Sequence, residues 1–425
     1  TLQNNGGALP GITFKEAGTN FTNSLLVGTD GTGTLNSAIN NTGVGFEVFD
    51  DLTSGDSNTG IGASVLTKIT TASNNTAVGK DAMEINTSGA DNTAIGATSM
   101  VLNTEGNDNV ALGSVTLAAN TTGDNNTAIG RNSLRRNTTA GNNTGVGYNS
   151  LCNNTTAESN NGFGAEALKN NTTGGCNNGF GKSALENNTT GSCNIAIGHY
   201  AMGLNTTGSC NVGIGHNTLD SNTTAANNTA LGLKALCATT TGGNNTAIGA
   251  NSLEANTTGS LNAAVGNYSL DANTTGTRNA SLGTESLGSN TTGNDNTGIG
   301  QCALKTNTTA SENTAVGSYA IKLNTTGASN TAIGVNALCT NTTASNNVAV
   351  GKSALRLNTT GASNTAVGTE ALCTNTTGVS LTAIGCGALK ANTTASNNVA
   401  VGINASLSST TATCNVMMGV SAGYQ

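Results

Sequence analysis

A glycine recurs at every seventeenth position, at Gly28, Gly45, Gly62, Gly79, Gly96 and Gly113 and onward to Gly419, giving 23 intervals with no insertion. A fixed period this short constrains the fold before any residue is considered singly. Seventeen residues cannot hold two helices and a turn, and a unit of that size cannot bury a hydrophobic face alone, so equivalent units must stack on one another. The Gly and Asn-Thr-Thr content of every repeat also opposes helix.

Numbering the repeat from its glycine as phase 0 separates the chain into columns. The residue before the glycine is always apolar, from Val27, Val44 and Ile61 through Phe163 and Phe180 to Val401 and Met418. This predicts a buried stripe containing Ile95, Ile129, Ile197 and Ile248. Phase 4 supplies a second apolar column, in Phe49, Leu66, Met83, Met100 and Leu117 and on through Leu134, Leu168, Leu253 and Leu304 to Leu389, broken at Thr32 and Ser406. Asparagine occupies phase 7, as in Asn86, Asn103, Asn120 and Asn137, and phase 13, as in Asn92, Asn109, Asn126 and Asn143, with interruptions at Thr239 and Leu381 respectively. Phases 1, 2, 5, 6, 11 and 12 carry nearly all the charge and are the expected corners of a coil with three straight sides.

Short β-rich pieces such as Thr-Ala-Ile-Gly, joined at Gly and Asn positions that tolerate a left-handed backbone, fit strands meeting at corners. The expected fold is all-β, a parallel β-solenoid (β-roll) of 17-residue coils. Each side chain then sits over its equivalent at the ~4.8 Å strand spacing, and stacked Asn and Thr can hydrogen-bond along the ladder. Twenty-three such coils predict a rod roughly 110 Å long. The expected organisation is a cap or junction over residues 1–27, where Asn4–Gly11 is loop-like and Phe14 and Phe21 are among few aromatics. The solenoid follows over 28–419, and 420–425 begin a further, truncated repeat. Two large apolar side chains per coil are lean cover for so many ordered residues, which predicts self-association, as a homotrimer packed around a common axis.

Composition excludes several classes. Only 9% of residues are charged and the net charge is −7, so there is neither the signature of disorder nor a basic footprint for nucleic acid. No run reaches the ~18 apolar residues of a membrane helix, so no membrane insertion is expected.

The run Asn126-Thr127-Ala128-Ile129-Gly130, followed by Ser133-Leu134 and Asn137-Thr138-Thr139, resembles repeats of bacteriophage tail fibres and of large repeat-bearing surface proteins. Its Ala-Ile-Gly core is also similar to the head repeats of trimeric autotransporter adhesins, although those repeats are usually shorter than the one here. The likeness spans about residues 23 to 423. It implies a trimer, a location outside the cell or on a virion, and a role in attaching one surface to another, with a host receptor or glycan as the second partner. The expected function is therefore a structural fibre shaft that spaces a binding tip from its base. The alternatives are an adhesin that binds through its lateral corners and an ice-binding solenoid. Against the last, Thr121 and Thr122 are adjacent, and a strand would point them to opposite sides.

Candidate chemistry is sparse. There is no Ser-His-Asp set, no paired carboxylates in register and no phosphate-cradling loop, so neither catalysis nor a cofactor is expected. His199 and His216 share phase 1 on adjacent repeats, a weak metal candidate beside an exposed corner ladder. Of ten cysteines, Cys176, Cys193 and Cys210 share phase 12 on consecutive repeats, within reach of a disulfide ladder that would leave one thiol over. Asn-Thr-Thr and Asn-Asn-Thr satisfy the N-glycosylation pattern in most repeats, while the periodicity explains the same residues as ladders.

Overall fold

The computed structural model describes residues 21–28 and 35–423 together with the backbone of Phe14–Lys15. The Asn4–Gly11 loop, the break at Thr32 and the last two residues of 420–425 lie outside the described residues. Every regular element among the described residues is a β-strand, and they belong to two compact units, Thr1–Cys210 and Asn211–Gln425. The fold in each is the expected parallel β-solenoid. In the first unit the ladder runs from Leu25–Val27 through Thr42–Val44 to Ile195–Ile197. In the second it runs from Val212–Ile214 to Val416–Met418. Neighbouring strands are parallel and offset by one repeat, so that Thr127, Ala128 and Ile129 face Thr144, Gly145 and Val146. At the start of the first unit, Phe14–Lys15 pairs antiparallel with Leu25–Val27.

From Thr42 onward only one side of each coil is a strand, three residues long, and the other two are built from turns; before it, Phe21–Thr22 pairs parallel with Ala38–Ile39 on a second side. The coil that starts at Gly181 explains why. Its backbone turns left-handed at Gly181 (φ 133), Ser183 (φ 57), Leu185 (φ 53) and Cys193 (φ 59), which no extended strand can absorb. The Ala184 N–H donates to the Gly181 carbonyl at 3.3 Å, closing a turn with a positive φ at its third residue, and the Asn188 N–H donates to Leu185 at 3.1 Å. A leucine held left-handed costs roughly 1 kcal/mol. It is retained because the turns aim N–H groups at neighbouring coils. Leu185 donates to Ala201 at 3.0 Å and Thr189 to Thr206 at 2.9 Å in the coil after, while Gly181 donates to Phe163 at 2.8 Å and Cys193 to Gly175 at 3.0 Å in the coil before. The backbone ladder therefore continues around sides that are not strands.

Glycine at phase 0 is required twice over. A Cβ on Gly181 would lie 2.6 Å from the Gly198 carbonyl oxygen and 2.7 Å from its carbon, and φ there is left-handed. Neither problem can be relieved by a rotamer.

The interior is small and half polar. Leu134, Leu168, Leu253 and Leu304 are fully buried, as expected, and so are both Asn columns. Asn126 shows how a buried amide is satisfied. Its backbone N–H and its Nδ2 both donate to Asn109 Oδ1, at 2.9 and 3.1 Å, Nδ2 also donates to the Ala140 carbonyl at 2.9 Å, and Oδ1 accepts from the Asn143 N–H at 3.1 Å. At phase 7, Asn120 Nδ2 donates to Asn103 Oδ1 at 2.8 Å and to the Gly123 carbonyl at 2.9 Å. In the earliest coils this column is apolar, with Leu52 and Ile69 fully buried. At the interruptions the ladder thins without stopping. The Leu381 N–H still donates to Asn364 Oδ1 at 3.0 Å, and Asn256 Nδ2 reaches Thr239 Oγ1 at 3.4 Å.

Asn126→Ala removes a buried amide whose partners have no water to turn to, so it should lower stability by about 2–3 kcal/mol. Thr122→Ala, at an exposed position of the same coil, should stay within about 0.5 kcal/mol. Urea midpoints of the two variants measure the difference.

Candidate functional site

The strand side of the coil carries the largest departure from the sequence-based expectation. In the three-residue strands the middle residue, Ala or Gly in all but Leu26, Ser281 and Met417, points inward, and the apolar residue before the glycine points out. Ile95, Ile197 and Ile248 are 39%, 41% and 37% exposed and Ile129 is half-buried, so these four are not core residues. The true inner partners are Ala94, Ala128, Ala196 and Ala247, all fully buried. Space decides the parity. The phase 4 side chain and the residue before it, Ala or Ser except at Val48, Val65, Thr116 and Thr218, already fill the coil. Even a methyl group on Gly43 would lie 2.5 Å from Leu26 Cδ2, and one on Gly145 would lie 2.5 Å from Ser133 Oγ. An isoleucine cannot enter, and since side chains alternate along a strand, placing alanine inside puts both of its neighbours outside.

Two columns therefore face outward from the sheet. One is the unbroken apolar column of Ile, Val, Leu, Phe and Met. The other, two residues earlier, begins at Leu25 and is otherwise mostly Thr, with Val, Ile, Asn and Ala between. Neither column contains a charged residue in any coil, although both lie at the surface. Phe163 and Phe180 stack within the apolar column, with ring centroids 4.8 Å apart and planes 5° from parallel, beside the Asn161 to Asn178 side-chain hydrogen bond of 2.9 Å. An isoleucine left about 40% exposed leaves roughly 1 kcal/mol of transfer energy unrealised on each rung. This uncharged face is the strongest functional feature of the described residues, and its signal in the sequence was the absence of charge at phases 14 and 16.

In the described coils, charge is confined to the turn sides. Glu285 and Lys305 pair at 2.7 Å, Glu370 and Lys390 at 2.6 Å, and Arg278 grips Asp295 through Nε at 2.7 Å. These pairs are exposed and add little stability. Between them, Gly288 interrupts a column of longer side chains and opens a hollow of 220 Å³ lined by Tyr268, Asp271, Glu285, Ser289 and Lys305. Half-burial there pushes the Asp271 carboxyl up to about 6, helped by the charges of Glu254 and Glu285 and opposed by backbone hydrogen bonds.

The weaker candidates are placed as follows. His199, in the first unit, lies 4.1 Å from the Tyr200 ring, tilted by 56°; the carbonyl of His216, in the second unit, accepts the Lys234 N–H at 3.0 Å. Among the described residues no group of three or more His, Cys, Asp or Glu is arranged to hold a metal ion. Cys176, Cys193 and Cys210 are exposed free thiols. Burial pushes the Cys152, Cys237, Cys339 and Cys373 thiols up. The glycosylation patterns divide by burial. In Asn120-Thr121-Thr122 the acceptor amide is fully buried and both its protons are donated, whereas in Asn125-Asn126-Thr127 the acceptor Asn125 is exposed. A sugar on the folded chain is compatible only with the second kind. Thr121 and Thr122 lie in a turn, and Thr121 Oγ1 is occupied by the Thr138 carbonyl at 3.1 Å.

The Asp271 shift makes a signed prediction. Between its ordinary value of 3.8 and about 6, the folded chain holds this proton and the unfolded chain does not. The contribution of Asp271 to stability is therefore present below pH ~4 and lost as pH rises through ~6. Asp271→Asn should raise stability at pH 7 by about 1 kcal/mol, discounted for a half-exposed group, and leave it unchanged near pH 3.5. Denaturation midpoints across that range test it. No protein-family model matches the chain, nor does any curated protein, so what it does must be read from these columns.

Proposed function

We propose that the chain is the structural shaft of an extracellular or virion-surface fibre, self-associated through its uncharged sheet face, as a homotrimer. The observation that carries this reading is the outward apolar column. It is exposed on strands of both units, and no coil interrupts it with Lys, Arg, Asp or Glu, the side chains that natural sheets use to keep such surfaces from associating. A second copy is the partner that fits. Any partner must repeat at the same ~4.8 Å spacing to match successive rungs, and another solenoid of this chain does so automatically. Taking 13 rungs and a face ~10 Å wide, the second unit alone offers about 600 Å² of projected sheet, close to the ~800 Å² per partner of a stable interface. The turn sides, where sequence varies and charge is confined, remain for solvent.

One observation favours a second reading. The outward Thr column beside the apolar column, as in Thr127-Ala128-Ile129, forms a flat, regular Thr and methyl array of the kind that can order water against ice. Thermal hysteresis from a monomeric chain would support that reading and count against the shaft.

The full chain should sediment at micromolar concentration as an oligomer. Placing lysine on the face, as Ile248→Lys with Ile299→Lys, should weaken association by about 100-fold or more, because unpaired charges would be buried. Asn244→Lys, on an exposed corner of the same unit, should leave association intact. A wild-type monomer, or equal association of the face variant, would sink the proposal.

A further inference from the structure

Cys176, Cys193 and Cys210 are the cysteines that occupy one column on consecutive coils, and all three lie in the first unit. Cys339 and Cys373 also share a column, but Arg356 stands between them. The backbone conformation of Cys176, Cys193 and Cys210 is the same, with φ 59 in each. They are also gripped in the same way. Cys176 N–H donates to Glu158 at 3.1 Å, Cys193 to Gly175 at 3.0 Å and Cys210 to Ser192 at 3.0 Å, each bond reaching the coil before. Identical backbone and identical anchoring send the three side chains out in the same direction. All three thiols are free and exposed.

The ladder spacing sets what these thiols can do. Neighbouring coils place Cα atoms ~4.8 Å apart, inside the range a disulfide spans, whereas Cys176 and Cys210 are ~9.6 Å apart, beyond it. Every bridge in this corner must therefore include Cys193. We propose that the column is a reversible redox modification site. A small disulfide oxidant of the glutathione disulfide class joins Cys193 to one neighbour, and the third thiol stays free to exchange with that bond.

The chemistry balances without any other reagent. An outer thiolate, of Cys176 or Cys210, attacks the oxidant's S–S bond, forming a mixed disulfide and releasing one reagent thiol. The Cys193 thiolate then attacks the protein sulfur of that mixed disulfide, forming the rung-to-rung bond and releasing the second reagent thiol. Two protein thiols lose two electrons and two protons, which the reagent disulfide gains. The remaining outer thiolate can next attack the Cys193 sulfur from the opposite side of the bond. Because the three sulfurs stack along one column, this attack approaches in line, and it moves the bridge by one rung with no net oxidation. Slight burial and the neighbouring thiols hold the Cys193 thiol above its ordinary value, so exchange should quicken as pH rises. An exposed bridge is open to reduction by the same route in reverse.

The test uses the full chain treated with oxidised glutathione, alkylated, and mapped by mass spectrometry. In the wild type, both the 176–193 and the 193–210 bridges are expected, with one thiol of the column left alkylated in each chain. Cys176→Ser and Cys210→Ser should each retain the one bridge still available. Cys193→Ser should form no bridge in this column, only glutathione adducts on the two outer thiols. Serine is native to this column at Ser159, Ser329 and Ser363, with φ of 60, 56 and 58, so the variants are expected to fold; circular dichroism checks that they do. A 176–210 bridge in Cys193→Ser, or glutathione adducts without any bridge in the wild type, would overturn the assignment. Neither outcome bears on the fibre reading, which stands or falls on association.

Discussion

Within each unit the described residues of successive coils meet their own equivalents, because no repeat in the series is longer or shorter than its neighbours. The buried amides depend on that register. Asn126 Oδ1 can accept from the backbone of the coil ahead, and its Nδ2 can donate to an asparagine of the coil behind, only if the same phase is aligned in all three. One inserted residue would shift each later side chain around the coil, leaving two buried amides per coil without partners at roughly 1–3 kcal/mol each. The phase 0 glycines impose the same demand from the backbone side. They touch through a gap too narrow for a methyl group, so the coil cannot loosen there to accommodate an irregular neighbour.

That register also explains how a chain with so little apolar volume can form an interior. Most of what is buried is small or polar: alanine or glycine on the strand, alanine or serine before the leucine, and asparagine at two corners. A single larger side chain per coil fills the centre. Cohesion therefore comes chiefly from hydrogen bonds between coils, around strand and turn sides alike. Confining the extended segment to three residues frees the rest of the coil to turn, at the expense of left-handed leucines, and the same economy of space expels the isoleucine column to the surface.

How much of this the sequence revealed depends on what each signal encodes. The period, the β-solenoid class, the leucine column and both asparagine ladders were legible because each is a repetition, and in a stacked fold repetition translates directly into contact. The parity of Ala and Ile was not. Both residues are apolar, and nothing in Thr127-Ala128-Ile129 says which faces in; the answer lies in the volume left over by Leu134 and Ser133, which belong to a different side of the coil. The turn character of two sides was also hidden. Positions such as Asn132, Leu134 and Asn142 adopt positive φ without glycine, and leucine carries no warning of a left-handed backbone. For the site, burial overturned four of the eight core assignments, and those four residues became part of the face that now carries the functional reading.

The outward face differs from the other exposed columns in a way that stability alone does not explain. Corners at phases 1, 2, 5 and 12 admit Lys, Arg, Asp, Glu, Cys, His and Leu without harm to the fold, as the exposed ion pairs and the Gly288 hollow illustrate. A lysine at the Ile248 position would be as well solvated as one at Lys305, since both side chains reach water. The solvation of a solitary chain thus gives no reason to exclude charge from the apolar column in every coil. Contact with another surface does, because only there would the charge lose its water. Within each unit the exclusion has no gap, so a surface that covered the face as proposed would have to be as regular as the ladder beneath it.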